Sequence, residues 1–586
     1  MSYPRIFDIL HHQLANYPLE DTFARREDGK NWRKYSTQEI IDLSDALSTG
    51  LMDLGLKKDD KIAFIFTTNR PEWHILDMAT LQLGIVNVPI YPNITTDEYR
   101  YILKHAEVKY LFVSNKTIYN KVAPILSDLE QLKGVYTFDH IDGVEHWSSL
   151  LSKTIKDREI EAIKATIQPA ELATIIYTSG TTGEPKGVML SHENIMSNVL
   201  DAAQMVPVQS SNRAYSFLPL CHVFERILNY TYMHQGASVY FADGLEKIAI
   251  QLPDVRPQYF AVVPRILEKI FEGIERKAKK LSPFKRKLFQ WSVKIAVDTP
   301  IYGKITLLQK FRLWVADIFV FKKWRTALGG NTEAIICGSA PLSPYLCRTF
   351  TNAGIPVLEG YGLTETSPVL TVNPLSKGKI HDGTVGVTLP SVQLEMAQDG
   401  EILVKGPNVM MGYYKDKVAT QESFTPDGWL KTGDIGHFTF DQYLVITDRK
   451  KELLKTSGGK YVAPAPIENR LKESPFIEQV AVVGDGMKFV GVLIVPNFGA
   501  LKEWCSQNSV IFTSNQAVIE EKAVEKLYFN IVQDINTNFS KVEQIKKVAL
   551  LEKEWTVESG ELTATMKIRR KVINEKYKEI INKFYK

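Results

Sequence analysis

The stretch that most restricts the possible folds of this chain runs from Tyr177 to His192, with the sequence YTSGTTGEPKGVMLSH. The apolar, β-branched run from Leu172 to Tyr177 before it predicts a buried strand. Ser191 is a good helix N-cap and predicts a helix that continues through Val199. A glycine-rich loop between a strand and a helix presents backbone N–H groups to a phosphate. The stretch therefore predicts a phosphate-binding loop.

The loop does not match the motif of the P-loop NTPases. That motif needs a second glycine five positions after the first, and a serine or threonine after the lysine. Pro185 stands five positions after Gly180, and Gly187 follows Lys186. An ordinary surface loop is the simpler alternative, but six small polar residues followed by Pro-Lys-Gly in fixed order disfavour it.

From Tyr177 to Val188 the loop resembles, without a break, the phosphate-loop signature of the AMP-forming adenylating enzymes. That family includes acyl-CoA synthetases, firefly luciferase and the adenylation domains of peptide synthetases. The resemblance implies that the loop holds the β- and γ-phosphates of ATP, and that Thr181 is also a ligand of Mg²⁺. The residues assigned to ATP in this way are Thr178, Ser179, Gly180, Thr181, Thr182, Gly183 and Lys186.

Length and composition indicate a chain of several domains in a reducing compartment. With 586 residues, two to four domains are expected. The cysteines have no pair spacing, which argues against disulfides and zinc sites; they are Cys221, Cys337, Cys347 and Cys505. The N-terminus has no signal-peptide pattern, and no run of about 18 apolar residues occurs. A cytoplasmic protein without a nucleic-acid partner is expected.

Helical and strand patterns alternate through the first 170 residues. Helices are predicted from Thr37 to Leu54 and from Pro71 to Leu83, and strands from Lys61 to Phe66, Gly84 to Ile90 and Val108 to Val113. Such alternation implies βαβ units. The predicted fold class is α/β, a large N-terminal region of layered, mostly parallel sheets flanked by helices. Parallel sheets bind ligands at the carboxyl ends of their strands, where the loop after Tyr177 would lie.

Two more strands are followed by glycine-rich turns, in Ala334–Leu342 and Val357–Thr366. A dinucleotide fingerprint is excluded because Glu365 stands where the third glycine would be. Both turns resemble the adenylating family, in which they hold adenine, and the resemblance assigns that role to Gly338, Ser339, Ala340, Glu359, Gly360, Tyr361 and Gly362. It also assigns Thr364 to the α-phosphate and Glu365 to Mg²⁺. A carboxylate beside a triphosphate requires such a cation.

His222 and Phe224 follow a strand predicted from Ala214 to Leu220. By itself, a lone histidine at a strand end is more often structural than catalytic. The resemblance reverses this preference, because it places His222 and Phe224 in the acyl pocket and His222 near the reacting carboxylate. Apolar residues that would suit a long acyl tail follow at Ile227, Leu228, Tyr230 and Tyr232.

The final quarter of the chain predicts a second, smaller α+β domain. Strands are predicted at Val480–Val483 and Val490–Val495, and a helix from Ala517 to Asn538. The predicted division is an adenylating domain over 1–447, a hinge over 448–450 and a mobile lid domain over 451–586.

The resemblance assigns further site residues in the second half of the chain. It assigns Asp434 and Arg449 to the ribose of ATP, and makes Lys567 the residue that contacts both the acyl carboxylate and the α-phosphate. It makes Asp448 the hinge residue. The loop expected to enter the site for the thioester step contains Ser457, Gly458, Gly459 and Lys460.

The segment from Arg265 to Arg325 has an unusual charge. It carries 16 Lys or Arg against 5 Asp or Glu, a net of +11, whereas the whole chain has a net charge of +4. Apolar residues are interleaved with these cations. This basic helical insertion, about 265–330, can rest on an anionic membrane surface. Two further interpretations are a solvated helical lid packed on the main domain, and a region that steers ATP and CoA.

Taken together, the motifs predict an ATP-dependent acyl-CoA synthetase, most similar to the long-chain fatty acid branch. Its expected partners are a fatty acid, ATP and CoA, with Mg²⁺ as cofactor. One alternative is a ligase that loads the adenylate onto a carrier protein. Another is a non-catalytic lipid- or nucleotide-binding protein. A homodimer and contact with the inner face of a membrane both remain open.

Overall fold

The structure, a computed structural model, describes residues 4–27, 29–178, 184–376, 378–563 and 566–585. The first part of the chain contains α1 Asp8–Asn16, β1 Phe23–Glu27, β2 Asn31–Tyr35, α2 Thr37–Asp53, β3 Lys61–Ile65, α3 Pro71–Leu81, β4 Val86–Ile90, α4 Thr96–His105, β5 Val108–Val113, α5 Lys116–Val122, β6 Gly134–Thr137, β7 Glu145–His146 and α6 Asp157–Thr166.

The middle of the chain continues with β8 Leu172–Thr178, β9 Lys186–Ser191, α7 His192–Met205, β10 Arg213–Ser216, α8 Val223–His234, β11 Ser238–Phe241, α9 Ile248–Val255, β12 Tyr259–Val262, α10 Pro264–Lys279, α11 Pro283–Asp298, α12 Leu307–Ala316 and α13 Lys322–Ala327. It is followed by β13 Ala334–Cys337, α14 Pro344–Asn352, β14 Val357–Gly362, β15 Val369–Val372, β16 Val387–Thr388, β17 Gln393–Met396, β18 Glu401–Lys405, β19 Gly412–Tyr413, α15 Lys417–Ser423, β20 Leu430–Phe438 and β21 Leu444–Arg449.

The last part contains β22 Leu454–Lys455, β23 Tyr461–Val462, α16 Pro464–Lys472, β24 Ile477–Val483, β25 Gly491–Pro496, α17 Phe498–Gln507, α18 Asn515–Ile519, α19 Lys522–Asn536, β26 Lys547–Leu550, α20 Arg570–Lys576 and α21 Lys578–Lys583.

Two large, mostly parallel sheets form the body of the protein, which confirms the predicted α/β class. One has the order β19–β9–β8–β4–β3–β5–β6–β7, and the other β16–β15–β14–β13–β12–β10–β11–β1–β2. A single hydrophobic core joins them, since it contains Phe64 and Ile176 of the first sheet and Tyr215 and Phe260 of the second. Their strands run parallel at the centre, so the carboxyl ends of β8, β13 and β14 are available for a ligand site.

The loop after Tyr177 lies in a hairpin, which corrects the predicted order of strand, loop and helix. β9 is inserted between the loop and α7, and it pairs antiparallel to β8 with Ile176 opposite Val188. Val188 and Leu190 are buried, so this apolar run gains more by joining the sheet than by remaining a loop. The predicted cap is confirmed: the Ser191 hydroxyl accepts a hydrogen bond from the Asn194 N–H at 3.1 Å.

A buried charged network connects α3 to α8. Arg226 donates to Asp77 at 2.6 Å, and neither side chain has any exposed area. The Tyr230 hydroxyl also donates to Asp77, and Arg226 donates to Thr174 at 3.0 Å. Tyr230 therefore serves the core and not the acyl pocket, contrary to the prediction.

The residues after 450 build a separate sheet with its own cores. Strand β25 pairs antiparallel with β24 and parallel with β26. The helix predicted from Ala517 to Asn538 is divided, because Glu521 adopts an extended backbone between α18 and α19. Across the described part of the chain, no helix is long and apolar enough to cross a membrane.

Candidate active site

A cleft of about 2460 Å³ opens where the ends of β8, β13 and β14 meet the C-terminal unit. Its walls include Thr178, Gly338 and Glu365 from the body, and Lys567 from the far end of the chain. The cleft thus lies at the predicted edge of the parallel sheets.

The two ends of the phosphate loop face each other across the hairpin. Thr178 pairs with Lys186 in the β8–β9 register, and both residues line the cleft. The Lys186 ammonium lies 5.0 Å from the centre of the Tyr413 ring, a cation–π contact. The remaining residues assigned to this loop, Ser179, Gly180, Thr181, Thr182 and Gly183, lie outside the described residues.

Glu365 is held at the cleft wall by Tyr413. The Tyr413 hydroxyl donates to Glu365 Oε1 at 2.9 Å, and the Met410 N–H donates to the Glu365 carbonyl at 2.9 Å. The ring of Tyr413 also contacts the Lys186 ammonium, so this one side chain contacts both that cation and the Glu365 carboxylate. Thr364 lines the cleft beside them.

The turns after β13 and β14 form a close-packed wall. A Cβ on Gly338 would lie 3.2 Å from the Phe224 ring, and a Cβ on Gly362 would lie 1.7 Å from the Pro368 carbonyl oxygen. At Gly362 the chain therefore requires glycine. Ser339, Ala340 and Gly360 line the same part of the cleft.

Glu359 is buried behind this wall, where the Leu342 N–H donates to its Oε1 at 3.0 Å. Burial raises the pKa of the Glu359 carboxyl to about 8, so the group is mostly neutral at pH 7.

Tyr361, which belongs to this wall, meets two polar side chains of a second wall formed by the paired strands β20 and β21. The Tyr361 hydroxyl donates to Asp434 Oδ2 at 2.7 Å, and Arg449 Nε donates to Asp434 Oδ1 at 2.9 Å. Each carboxylate oxygen of Asp434 thus has a donor, which fixes the carboxylate in one orientation. The structure brings together the residues that the sequence assigned to adenine and ribose.

Lys567 extends into the same cleft and remains accessible to solvent there. The surrounding protein and, secondarily, the Arg449 guanidinium lower the pKa of the Lys567 ammonium. The carboxylates of Asp434, Glu452 and Glu365 act in the opposite direction. Lys567 is therefore within electrostatic range of both walls of the nucleotide site, although it is 118 positions after Arg449 in sequence.

His222 is the N-cap of α8, and its Nδ1 accepts a hydrogen bond from the Phe224 N–H at 3.1 Å. Burial and the Lys567 charge lower the pKa of His222 to about 4, so the ring is neutral at pH 7. A neutral ring whose Nδ1 accepts carries its proton on Nε2 and can donate from there. The cleft beside it is apolar, lined by Phe224, Leu228, Ala202, Val206 and Val223.

Asp448 connects the last strand of the body to the C-terminal unit. Its Oδ1 accepts from the Arg449 N–H at 2.6 Å, and its Oδ2 accepts from the Ala465 N–H at 3.2 Å. Burial raises the pKa of Asp448 to about 6.

Comparison with known proteins accounts for this arrangement. Residues 10–414 match the family of AMP-binding enzymes, and residues 451–586 match the AMP-binding enzyme C-terminal domain. The chain belongs to the AMP-binding enzyme family. The long-chain-fatty-acid–CoA ligase FadD15 of Mycobacterium tuberculosis is 35% identical over 94% of this chain and 92% of its own length. Long chain acyl-CoA synthetase 4 of Arabidopsis thaliana is 31% identical over 99% and 91%.

Solved structures share the fold of this AMP-binding enzyme. The adenylation domain of a carboxylate reductase from Mycobacterium chelonae superposes with a TM-score of 0.76 at 20% identity, over 99% of this chain and 91% of that one. ATP-bound MatB from Rhodopseudomonas palustris gives 0.70 at 23% identity, over 98% and 99%.

The C-terminal unit of this AMP-binding enzyme is held over the cleft by polar contacts. Arg265 forms an ion pair with Glu478, and the Ser343 hydroxyl donates to Glu473 at 2.7 Å. This arrangement brings Lys567 to the site and leaves the other predicted C-terminal loop away from it. That loop, Ser457, Gly458, Gly459 and Lys460, forms the β22–β23 turn and is not among the described cleft-lining residues.

Two important residues of this AMP-binding enzyme were missed by sequence reasoning. Tyr413 connects Glu365 to Lys186, and Arg570 anchors the chain next to Lys567 through two 2.7 Å hydrogen bonds to Glu468. Arg570 adjoins the last recognised motif and could have been found there. Tyr413 follows Met-Met-Gly in a short strand that carries no comparable signal.

Proposed function

We propose that this cleft activates a long-chain fatty acid with ATP and transfers the acyl group to CoA. The chain is an AMP-forming fatty acid–CoA ligase, as its relatives of 30–35% identity over most of its length support. The observation that carries the residue-level mechanism is the convergence of Lys567 with the Asp434–Arg449 pair and with Glu365 in one cleft.

The first half-reaction must bring two anions together. A carboxylate oxygen of the fatty acid bonds to the α-phosphorus of ATP, the bond from that phosphorus to the bridging oxygen breaks, and pyrophosphate leaves. The protein contributes alignment and positive charge. Lys567 is suited to neutralise the carboxylate and α-phosphate, and Lys186 the outer phosphates. The Nε2 proton of His222 is available to an acyl oxygen.

Nucleotide binding is assigned to the two walls described above. The carboxylate of Asp434, fixed by Tyr361 and Arg449, is suited to accept hydrogen bonds from ribose hydroxyls. Gly338 and Gly360 line the cleft beside Tyr361, whose aromatic ring suits a flat purine. The Glu359 carboxyl is neutral, so it adds no negative charge behind the purine.

Mg²⁺ is consistent with the residues at the phosphate end. Glu365 is a carboxylate oriented by Tyr413, and one carboxylate together with phosphate oxygens is an ordinary Mg²⁺ ligand set. The ion would supply positive charge against the triphosphate. Thr181, the other assigned ligand, lies outside the described residues.

The second half-reaction requires a different arrangement of the C-terminal unit. The CoA thiol loses its proton to solvent and its sulfur bonds to the acyl carbon. The bond from that carbon to the AMP oxygen breaks, and AMP leaves. Lys567 occupies the cleft here while the loop at Gly459 lies outside it. We infer that residues 451–586 rotate about the 448–450 hinge, relative to the body formed by 1–447.

An AMP-release assay over fatty acids from acetate to about twenty carbons tests the proposal. We expect activity that depends on CoA and rises with chain length into the long-chain range. AMP release that requires a carrier protein and not CoA would favour the carrier-loading alternative. Absence of AMP with every acid would contradict the function itself.

A further inference from the structure

Large apolar side chains are exposed along one short stretch of the basic insertion. Within the described residues, six of the exposed ones fall between positions 307 and 319. We name this set the α12 patch: Leu307, Leu308, Phe311, Trp314, Ile318 and Phe319. Their exposed fractions run from 46% at Ile318 to 82% at Leu307. Contiguous apolar surface of this kind ordinarily marks an interaction site.

The patch has the geometry of an amphipathic helix. Leu307, Phe311, Trp314 and Ile318 are spaced by four, three and four residues, which places them on one side. The Phe311 and Trp314 rings stack with centres 5.9 Å apart. Ala316, on another side of the helix, is fully buried in the main core. The helix is therefore docked on the protein by one side and presents its aromatic side outward.

Unpaired cations surround the patch. Lys304, Lys310, Arg312, Lys322 and Lys323 are exposed, and none has an ion-pair partner within the described part of the chain.

The acidic side chain within this stretch, Asp317, is neutralised by an ion pair with Arg325. Its Oδ2 accepts a hydrogen bond from Arg325 at 3.0 Å, and Arg325 also donates to the Ala353 carbonyl at 2.7 Å. The outward surface consequently combines apolar side chains with uncompensated positive charge.

We propose that the α12 patch docks this enzyme on an anionic phospholipid surface, with the aromatic side chains inserted at the interface and the cations on the headgroups. The combination matches an interfacial helix. The reason for docking there rests on the proposed function, since long-chain fatty acids partition into membranes. The lid interpretation fits the middle of the neighbouring helix α11, where Phe289 is buried, although Phe284 at the start of that helix is exposed. It does not account for the exposed Phe311 and Trp314.

A second copy of the chain fits the patch less well. An isologous interface would bring the same cations, such as Lys310 and Arg312, face to face. Steering of ATP or CoA would need the charges alone and leaves the exposed rings unexplained.

Vesicle flotation of the full chain tests the proposal. We expect binding to phosphatidylcholine vesicles that contain phosphatidylglycerol, and weaker binding to phosphatidylcholine alone. Lys310→Gln/Arg312→Gln should weaken binding about 25-fold, since each cation near an anionic surface contributes roughly fivefold. Phe311→Ser/Trp314→Ser should abolish detectable binding. Matched controls outside the patch are Phe440→Ser/Ile511→Ser and Lys526→Gln/Lys541→Gln, both expected to bind like the wild type.

Activity measurements separate this proposal from the proposed function. With fatty acid delivered in detergent micelles, the patch variants should release AMP at the wild-type rate. With fatty acid carried in anionic vesicles they should be slower. Wild-type enzyme that is active in detergent but does not float with vesicles would overturn the docking role of the α12 patch and leave the proposed function standing. So would equal binding by patch and control variants, or a dimer in light scattering that Phe311→Ser/Trp314→Ser dissociates.

Discussion

At the scale of single residues, the cleft contains several groups whose environments shift their pKa away from ordinary values. His222 and Lys567 have lowered pKa values, while Glu359 and Asp448 have raised ones. Such clustering is typical of functional sites. For His222, Glu359 and Asp448 the largest cause is burial, and for Lys567 it is the partial loss of hydration in the cleft that it lines.

Replacement of Lys567 by alanine should separate the two half-reactions. Adenylate formation should fall by about 10²–10³-fold, because one preorganised positive group is lost from the reacting phosphate. Thioester formation from supplied acyl-adenylate should be unaffected. Pyrophosphate exchange measures the first step and acyl-CoA release the second.

Lys571→Ala, which removes an exposed cation four residues later, is the matched control and should leave both rates unchanged. Equal losses in both half-reactions of the Lys567 variant would exclude its assigned role.

Glu359 should give the protein a distinctive pH dependence. Its folded-state pKa of about 8 lies above the ordinary 4.5, so between these values only the folded state retains the proton. Stability from this group is complete below pH 4.5 and is lost as the pH rises towards 8, by about 1 kcal/mol per pH unit. Glu359→Gln should reduce the total slope by this amount and leave the contribution of Glu225, whose pKa burial also raises to about 8; urea unfolding between about pH 6 and pH 8 measures the difference.

The control for that experiment is Glu395→Gln at an exposed position, which should keep the wild-type slope. Parallel pH dependence of the Glu359 variant and the wild type would show that burial does not hold the proton.

At the scale of structural elements, α20 and α16 together position the chain around Lys567. Arg570, at the start of α20, donates to both Glu468 oxygens of α16 at 2.7 Å and to Glu452 at 3.2 Å. Glu468 also accepts from the Val482 N–H of β24 at 2.7 Å. The guanidinium thus connects the segment that contains Lys567 to α16, to β24 through Glu468, and to Glu452.

Arg570→Gln should therefore destabilise the C-terminal unit by about 3–5 kcal/mol, because it leaves the buried Glu468 without its cation. Arg570→Lys keeps the charge but not the paired hydrogen bonds, and should cost less. Urea unfolding measures both, with Lys571→Gln as control. Loss of pyrophosphate exchange in Arg570→Lys at full stability would indicate that the paired geometry itself positions Lys567. Unchanged stability of Arg570→Gln would contradict the anchoring role.

At the scale of the whole molecule, several polar contacts among the described residues join the body to the C-terminal unit. Besides the Arg265–Glu478 and Ser343–Glu473 contacts, Arg569 lies 3.4 Å from Glu98 of the body. Part-exposed pairs of this kind are individually weak, which is consistent with the proposed rotation of the C-terminal unit.

Glu478→Gln should shift the balance between the two arrangements. Adenylate formation should decrease by up to about fivefold, the most that one partly exposed ion pair contributes. Thioester formation from supplied acyl-adenylate should be unchanged or faster. Glu503→Gln, at the more exposed pair with Lys279, should have a smaller effect. A slower thioester step in the Glu478 variant would contradict this account.

The sequence by itself determined the local structure and the type of chemistry. Strand β5, the N-cap at Ser191 and the glycine-rich turns depend on short-range spacing and backbone preferences, so they were predictable. The motifs also predicted the AMP-forming family, which the relatives confirm. The assigned site residues stay predictions, although the described ones among them mostly converge on one cleft.

Only the tertiary structure decided which distant groups meet. Tyr230 binds Asp77 in the core, Tyr413 connects Glu365 to Lys186, and Phe311 faces solvent. Each outcome depends on how helices and strands far apart in sequence pack, and on which polar groups find partners when buried. That competition involves the whole core at once, and no local pattern of residues encodes its result.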